Sequence, residues 1–180
     1  MLEAEVKARV EDLDRVEKRL SGLGAKYLDE ESQVDLYFNH PSRDFSITDE
    51  ALRLRRAGKR LFLTYKGPKL DSLTKTRIEH EVGIEDFEGA REILLSLGFV
   101  PVAEVRKNRR LYSCRGFIVS LDSVEGLGSY VEVEGRAEEC KTPERLLGFL
   151  QELGISPEES ERRSYLELLL DKKANAGPPD

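Results

Sequence analysis

The sequence predicts an α+β domain in which a closed antiparallel sheet carries helices on its outer side. Three observations predict it. Charged and apolar residues alternate on strand after strand. Amphipathic helical stretches, each stopped by glycine, separate those strands. The strand–helix–strand pattern then repeats at a spacing of 74 residues. At 180 residues the chain is long enough for one domain with its own core, expected over residues 1–171. The last stretch, "KKANAGPPD" (172–180), reads as a disordered tail.

Residues 2–10 alternate, with Glu3, Glu5 and Lys7 on one face and Ala4 and Val6 on the other. Asp12 is placed to cap a helix whose apolar positions are Leu13, Val16, Leu20 and Leu23, and Gly22 and Gly24 would end it. "YLDEESQVDLYFNH" (27–40) is a strand and "PSRDFSITDE" (41–50) a turn-rich loop. "ALRLRR" and "RLFLTYKG" make a hairpin around Gly58, and the loop "PKLDSL" leads into the strand "TKTRIEHEVG" (74–83). A second helix puts Phe87, Ala90, Ile93, Leu94 and Leu97 on one face and stops at Gly98. Strands follow over 100–113, 116–124 and 129–136. Thr142-Pro143 opens a third helix, and the capping box Ser156-Pro157-Glu158-Glu159 a fourth. In the repeat, "VEDL" (10–13) lies over "IEDF" (84–87), Gly24 over Gly98, and Glu5 over Glu79. Glu132, Glu134 and Leu153-Gly154 form a looser third copy.

Composition narrows the function. No apolar run approaches the roughly 18 residues that span a bilayer, and no signal-peptide pattern opens the chain, so a cytoplasmic protein without a membrane partner is expected. Two cysteines, Cys114 and Cys140, and two histidines, His40 and His80, give little material for zinc sites or nucleophilic triads. A net charge of −6 argues against a nucleic-acid partner, and 7% aromatic residues leave few stacking positions for RNA. Few Asn, Gln, Met and Cys beside many Glu, Lys and Arg match a thermophilic composition.

The charged strand faces carry the chemistry. At 36% charged residues, a charged pair two apart arises by chance roughly one time in eight, so one such strand means little. The pattern recurs on five strands. An ordinary sheet would turn such faces to water. Here, however, Arg53/Arg55, Lys107/Arg109 and Glu132/Glu134 each set like charges side by side, which costs energy unless a ligand or counter-charge offsets it. The bases Lys7, Arg53, Arg55, Lys66, Arg77, Lys107 and Arg109 stand against the acids Glu3, Glu5, Glu79, Glu81, Asp122, Glu132 and Glu134. Rolled inward, this face would need water, mutual pairing and ligands. A polyanion with a divalent metal satisfies it: carboxylates bind magnesium or manganese, and guanidinium and ammonium groups bind phosphate oxygens. A triphosphate needs both. No GxxxxGK[ST] loop is present, so side chains would hold the phosphates.

In order along the chain stand Glu3-x-Glu5-x-Lys7, "DLYF", "ALRLR", "YKGP", "RIEHE", "KNRRLY", "LDSVEGLGSYVEVE" and "RRSYLELL". Over roughly residues 1–170 this set resembles the CYTH superfamily, the triphosphate tunnel metalloenzymes, and "EGLGSYVEVE" with "RRSYLELL" most resembles its class IV adenylyl cyclase branch. The resemblance implies a closed eight-stranded antiparallel β-barrel, with a triphosphate in the lumen. It implies that Glu3, Glu5, Glu132 and Glu134 hold one or two Mg2+ or Mn2+ ions. Lys7, Arg53, Arg55, Lys66, Lys107 and Arg109 would grip the phosphates, joined by Arg77. Glu5, Lys7 and Asp122 are the expected catalytic residues, with Asp122 supporting a metal-bound water or a neighbouring base. Glu79 and Glu81 would orient bases, and His80 lies on the opposite face. The implied activity is conversion of ATP to cyclic AMP and pyrophosphate; the alternatives are hydrolysis of tripolyphosphate, a nucleoside triphosphate or thiamine triphosphate, and, further off, a noncatalytic polyphosphate-binding module. Adenine recognition is expected in the loops near 40–50 and 67–74, and by analogy the chain forms a homodimer.

Overall fold

Local signals set the helices of the computed structural model, which describes residues 2–70, 74–136 and 138–175, without the side chains of Leu2 and Glu3. The helices are α1 (Leu13–Gly22), α2 (Phe45–Thr48), α3 (Phe87–Ser96), α4 (Pro143–Glu152) and α5 (Tyr165–Asn175). The Asp12 side chain accepts from the amides of Asp14 and Arg15 at 2.9 and 3.1 Å, and Asp86, 74 residues on, accepts from Gly89 at 3.0 Å. Gly24 and Gly98 follow α1 and α3 with φ of 78° and 87°, a conformation that a side chain resists. The sequence repeat is thus a structural one, down to caps and stops.

The strand segments are β1 (Leu2–Glu3), β2 (Glu5–Val10), β3 (Lys26–Asn39), β4 (Ala51–Ala57), β5 (Arg60–Lys66), β6 (Arg77–Ile84), β7 (Val100–Cys114), β8 (Phe117–Val124) and β9 (Gly128–Gly135). All pair antiparallel, in the order β1-β6-β5-β4-β3-β7-β8-β9-β2. The expected antiparallel sheet is present; among the described residues it has nine segments, and its end segments β1 and β2 are not hydrogen-bonded to each other, so the expected closure into an eight-stranded barrel is not seen in the strand pairing. Its two ends, β1 and β2, are consecutive in the chain and separated by Ala4, so one N-terminal stretch holds β6 on one side and β9 on the other.

The apolar side of the strands faces outward, under helices. Ala4, Val6, Ala8, Val119, Leu121, Val131 and Val133 pack against Val16 and Leu20 of α1 and Leu146, Phe149 and Leu150 of α4. Full burial of each leucine there contributes about 1.5–3 kcal/mol. A smaller core joins Leu94 of α3 to Phe38, Leu52 and Leu54. Ile93 and Leu97, expected on the buried face of α3, are 62% and 64% exposed.

Three further expectations change. The segment 41–50 holds the short α2, capped by Asp44. The capping box at Ser156 forms, but it opens one 3-10 turn (Pro157–Glu159) rather than a helix, because Ser160 then pairs with Ala8 and the Glu161 amide donates to the Lys7 carbonyl at 2.6 Å. Residues 172–175, expected in a disordered tail, extend α5; the tail's remaining residues, 176–180, lie outside the described ones. Among the described residues no helix is long and apolar enough to cross a membrane.

Candidate active site

Strand register gathers the charged faces onto one inner surface. Glu5 stands opposite Glu134 and Lys7 opposite Glu132. Arg109 faces Asp122, Arg55 faces Asp35, and Lys66 faces Glu79. They surround a cavity of about 1100 Å³ whose wall includes Glu5, Arg53, Arg55, Lys66, Arg77, Lys107, Arg109, Glu132 and Glu134. The ionic faces therefore turn toward a shared interior and not toward bulk water.

Inside, each of these cations meets a carboxylate. Arg55 grips Asp35 with two bonds of 2.6 Å, and Arg53 lies 3.6 Å from both Asp35 and Glu81. Lys66 meets Glu79 at 2.7 Å, Lys75 meets Glu5 at 3.0 Å, and Arg77 lies 3.7 Å from Asp49. Arg109 donates to both oxygens of Asp122, at 2.7 and 2.5 Å, and to Glu132. Asp122, fully buried, also accepts from Lys107 at 3.1 Å and from the Tyr165 hydroxyl at 2.9 Å. It thus holds two bases and a phenol.

These contacts set the charge states. Burial alone would raise the Glu132 carboxyl, but Arg109, Lys107, Lys75 and Lys7 outweigh it and hold it well below the usual carboxylate range. Asp122 and Asp35 are lowered in the same way, against burial, by Arg109 and Lys107 and by Arg55 and Arg53. Burial, followed by the Arg109 charge, brings the Lys107 ammonium down to about 8. A phosphate chain beside Lys107 would restore its proton, so tripolyphosphate binding near pH 8 is expected to take up protons and to weaken as pH rises through that value. Calorimetric titration in buffers of different ionisation enthalpy measures the uptake; equal affinity on either side of pH 8 with no uptake would remove Lys107 from the binding set.

Lys7 departs from its expected place on the cavity wall. It is 1% exposed, its Nζ donates to the Arg163 carbonyl, and the ammonium lies 4.0 Å from the Tyr165 ring centroid. Residues 160–165 run beside β2, where Ser160 pairs with Ala8 and the Glu161 amide donates to the Lys7 carbonyl, and they enclose the Lys7 side chain. Burial, and then the nearby Lys75, pull its pKa well below the lysine range.

The expected metal ligands are neighbours by register, since Glu5 faces Glu134 and Glu132 lies two residues away on the same face. Glu3 pairs through its backbone with Arg77, while its side chain lies outside the described residues. The three carboxylates are drawn to separate cations: Glu5 to Lys75, Glu132 to Arg109, and Glu134 to Arg136 at 3.2 Å. Among the described residues, no three His, Cys, Asp or Glu side chains therefore come together in a metal-holding arrangement. Their hard oxygen donors and adjacent positions on one cavity wall fit a divalent ion once those cations are exchanged for it.

Several residues of the site escaped the sequence reading, among them Gln33, Asp35, Asp49, Lys75 and Tyr165, which line the lumen or anchor its bases. Extending the alternation back from Arg77 would have found Lys75, and Gln33-x-Asp35-x-Tyr37 carries the same two-residue rhythm. Tyr165 carries no such signal.

The model of the CYTH domain matches residues 1–165. The chain belongs to the CYTH domain family. Among CYTH-type relatives, a Methanocaldococcus jannaschii protein with a provisional adenylate cyclase name is 44% identical over 172 residues, covering 93% of this chain and 98% of its own. Adenylate cyclase CyaB of Aeromonas hydrophila is 30% identical over 174 residues, covering 92% of this chain and 87% of its own. The solved structure of PH1819 from Pyrococcus horikoshii superposes with a TM-score of 0.85 at 42% identity, covering 94% of this chain and 99% of that one. HpAC1 from Hippeastrum, described as having a dominant triphosphatase activity, shares the fold with a TM-score of 0.64 at 23% identity, covering 96% of each chain.

Proposed function

We propose that this CYTH chain is a metal-dependent enzyme that binds a triphosphate in its lumen, and that it acts as a class IV adenylyl cyclase. One observation carries the reading: Arg53, Arg55, Lys66, Arg77, Lys107 and Arg109 converge on one cavity, each held by a carboxylate. A triphosphate would take the carboxylates' place on the guanidinium and ammonium groups. Glu5, Glu132 and Glu134 would hold Mg2+ or Mn2+, which when bound supplies positive charge beside the phosphate oxygens.

The remaining roles belong to the chain itself. Arg109 and Lys107, fixed from behind by Asp122, would stabilise charge as it develops on the departing phosphate oxygens. Glu79 would hold Lys66, and Glu81 would hold Arg53. Lys7 would join the phosphates once it leaves the Arg163 carbonyl and the Tyr165 ring. In the cyclase reaction the ribose 3′-hydroxyl attacks the α-phosphorus, its proton leaves, and pyrophosphate departs.

The second reading is a triphosphatase, in which water attacks the terminal phosphorus. HpAC1 supports it through its described activity, and the same array of bases serves either attack. Incubating the protein with ATP or tripolyphosphate and Mg2+ or Mn2+ separates the two. Cyclic AMP with pyrophosphate supports the cyclase and orthophosphate the hydrolase, whereas the absence of both turnover and binding for both compounds refutes the site. Glu134→Gln is expected to lower metal-dependent turnover by more than about 10-fold; full activity in that variant would remove Glu134 from the metal set.

A further inference from the structure

The chain supplies a cation of its own to the acidic side of the lumen. Lys75 follows the loop between β5 and β6 in which adenine recognition was expected; residues 71–73 of that loop are outside the described ones. The Lys75 amide donates to the Glu5 carbonyl at 2.9 Å, which seats residue 75 on the edge of β2 away from β9. From there its Nζ reaches the Glu5 carboxylate at 3.0 Å, and Glu132 acts on the same charge from β9. Lys75 is 6% exposed and lies on the cavity wall with both acids. A buried ammonium thus pairs with one carboxylate of the proposed metal set and is drawn by a second.

The three cations on Glu5, Glu132 and Glu134 are not equivalent. Arg109, if Glu132 lets it go, keeps Asp122 at 2.7 and 2.5 Å. The Arg136 side chain, on Glu134, is 60% exposed and exchanges its partner for water. Lys75 has neither recourse. Among the described residues Glu5 is the one carboxylate within ion-pair distance of it, and the nearby Lys7 is another ammonium. Taking Glu5 away leaves a buried lysine unpaired, which is strongly unfavourable unless a new anion arrives.

We propose that Lys75 is a tethered counter-ion that couples divalent-metal binding to triphosphate binding. Held on Glu5, it competes with a free metal ion for that carboxylate. When a triphosphate enters, a phosphate oxygen takes over the ammonium and Glu5 is released for the ion. Metal and polyphosphate therefore assist each other, and by linkage each improves the other's affinity by the same factor. This rests on the reading that the belt holds the phosphates and that Glu5, Glu132 and Glu134 hold the metal; it adds the residue that ties the two together.

The test measures two affinities of the full chain separately: Mn2+ alone, from the free-ion paramagnetic resonance signal, and tripolyphosphate alone, by calorimetry in the presence of a chelator. Lys75→Met is expected to bind Mn2+ about 10-fold tighter or more, because the competitor for Glu5 is gone. The same variant is expected to bind tripolyphosphate about 10-fold more weakly, because a phosphate partner is gone. A merely structural role would weaken both. Lys75→Arg, which keeps the charge, should stay within about 3-fold of the parent in each, as should Lys59→Met, which removes an exposed lysine from the β4–β5 turn. Should Lys75→Met lose its circular dichroism signal, Lys75→Gln makes the comparison. Mn2+ binding no tighter than in the parent overturns the competition, and unchanged tripolyphosphate binding overturns the handover; either result leaves the belt standing. A parent protein that binds no tripolyphosphate overturns the belt as well.

Discussion

Replacing Asp122 by alanine is expected to destabilise the protein by about 3–5 kcal/mol. The residue is fully buried and is the shared anion for Arg109 and Lys107 and an acceptor for the Tyr165 hydroxyl. Without it, two cations stand within a few ångströms of each other, with Glu132 as the main remaining counter-charge for Arg109. Tyr165 also loses its hydroxyl partner, which loosens α5 at its first residue. For a chain of this size the loss corresponds to a fall in Tm of roughly 6–20 °C. Thermal unfolding followed by circular dichroism measures it. The variant should regain stability when tripolyphosphate and magnesium are added, because the ligand restores negative charge beside the same bases. An unchanged Tm would show that Asp122 does not carry the electrostatic balance of the lumen.

Arg109→Ala is expected to weaken tripolyphosphate binding by about 10- to 100-fold, the value of losing a charge-assisted hydrogen-bonding group. Arg109 makes three bonds in the belt, reaching Asp122 twice and Glu132 once. Its planar fork can address two phosphate oxygens together, which the single ammonium of lysine cannot, so Arg109→Lys should recover only part of the affinity. Binding should also depend less steeply on salt in Arg109→Ala than in the parent, as one positive charge has left the site. Calorimetric titration at low and high salt reads both effects. Affinity equal to the parent's would place the phosphates away from β7.

Much of this site is written locally. Glu5, Lys7, Arg53, Arg55, Lys107, Arg109, Glu132 and Glu134 show themselves as charged pairs two apart, and that period alone puts each pair on one strand face. Asp12 and Asp86 announce helix starts for an equally local reason, since a cap bonds amides two or three residues ahead. What escapes is long-range. Asp35 has no charged neighbour two residues away, and its importance comes from Arg55 on the next strand. The capping box at Ser156 met its local conditions, yet pairing of Ser160 with Ala8, about 150 residues earlier, drew the backbone off the helical path. Lys7 carries the family signature, but nothing near it in sequence tells that residues 160–165 run beside β2 and bring the Tyr165 ring to its ammonium. How the sheet ends is equally hidden, because the halves of one N-terminal stretch part at Ala4 to serve opposite edges.

The carboxylate partners of Arg53, Arg55, Lys66, Lys107 and Arg109 have a consequence for selectivity. With a triphosphate as the proposed guest, such an interior would behave like a loaded ion exchanger, a newcomer anion entering by displacing a resident carboxylate from its base. Chloride or a single phosphate brings too little charge to win that exchange at several positions together, whereas a chain of linked phosphates competes at all of them. The evicted carboxylates then need cations of their own, so the most favourable guest is one that arrives with its counter-ion.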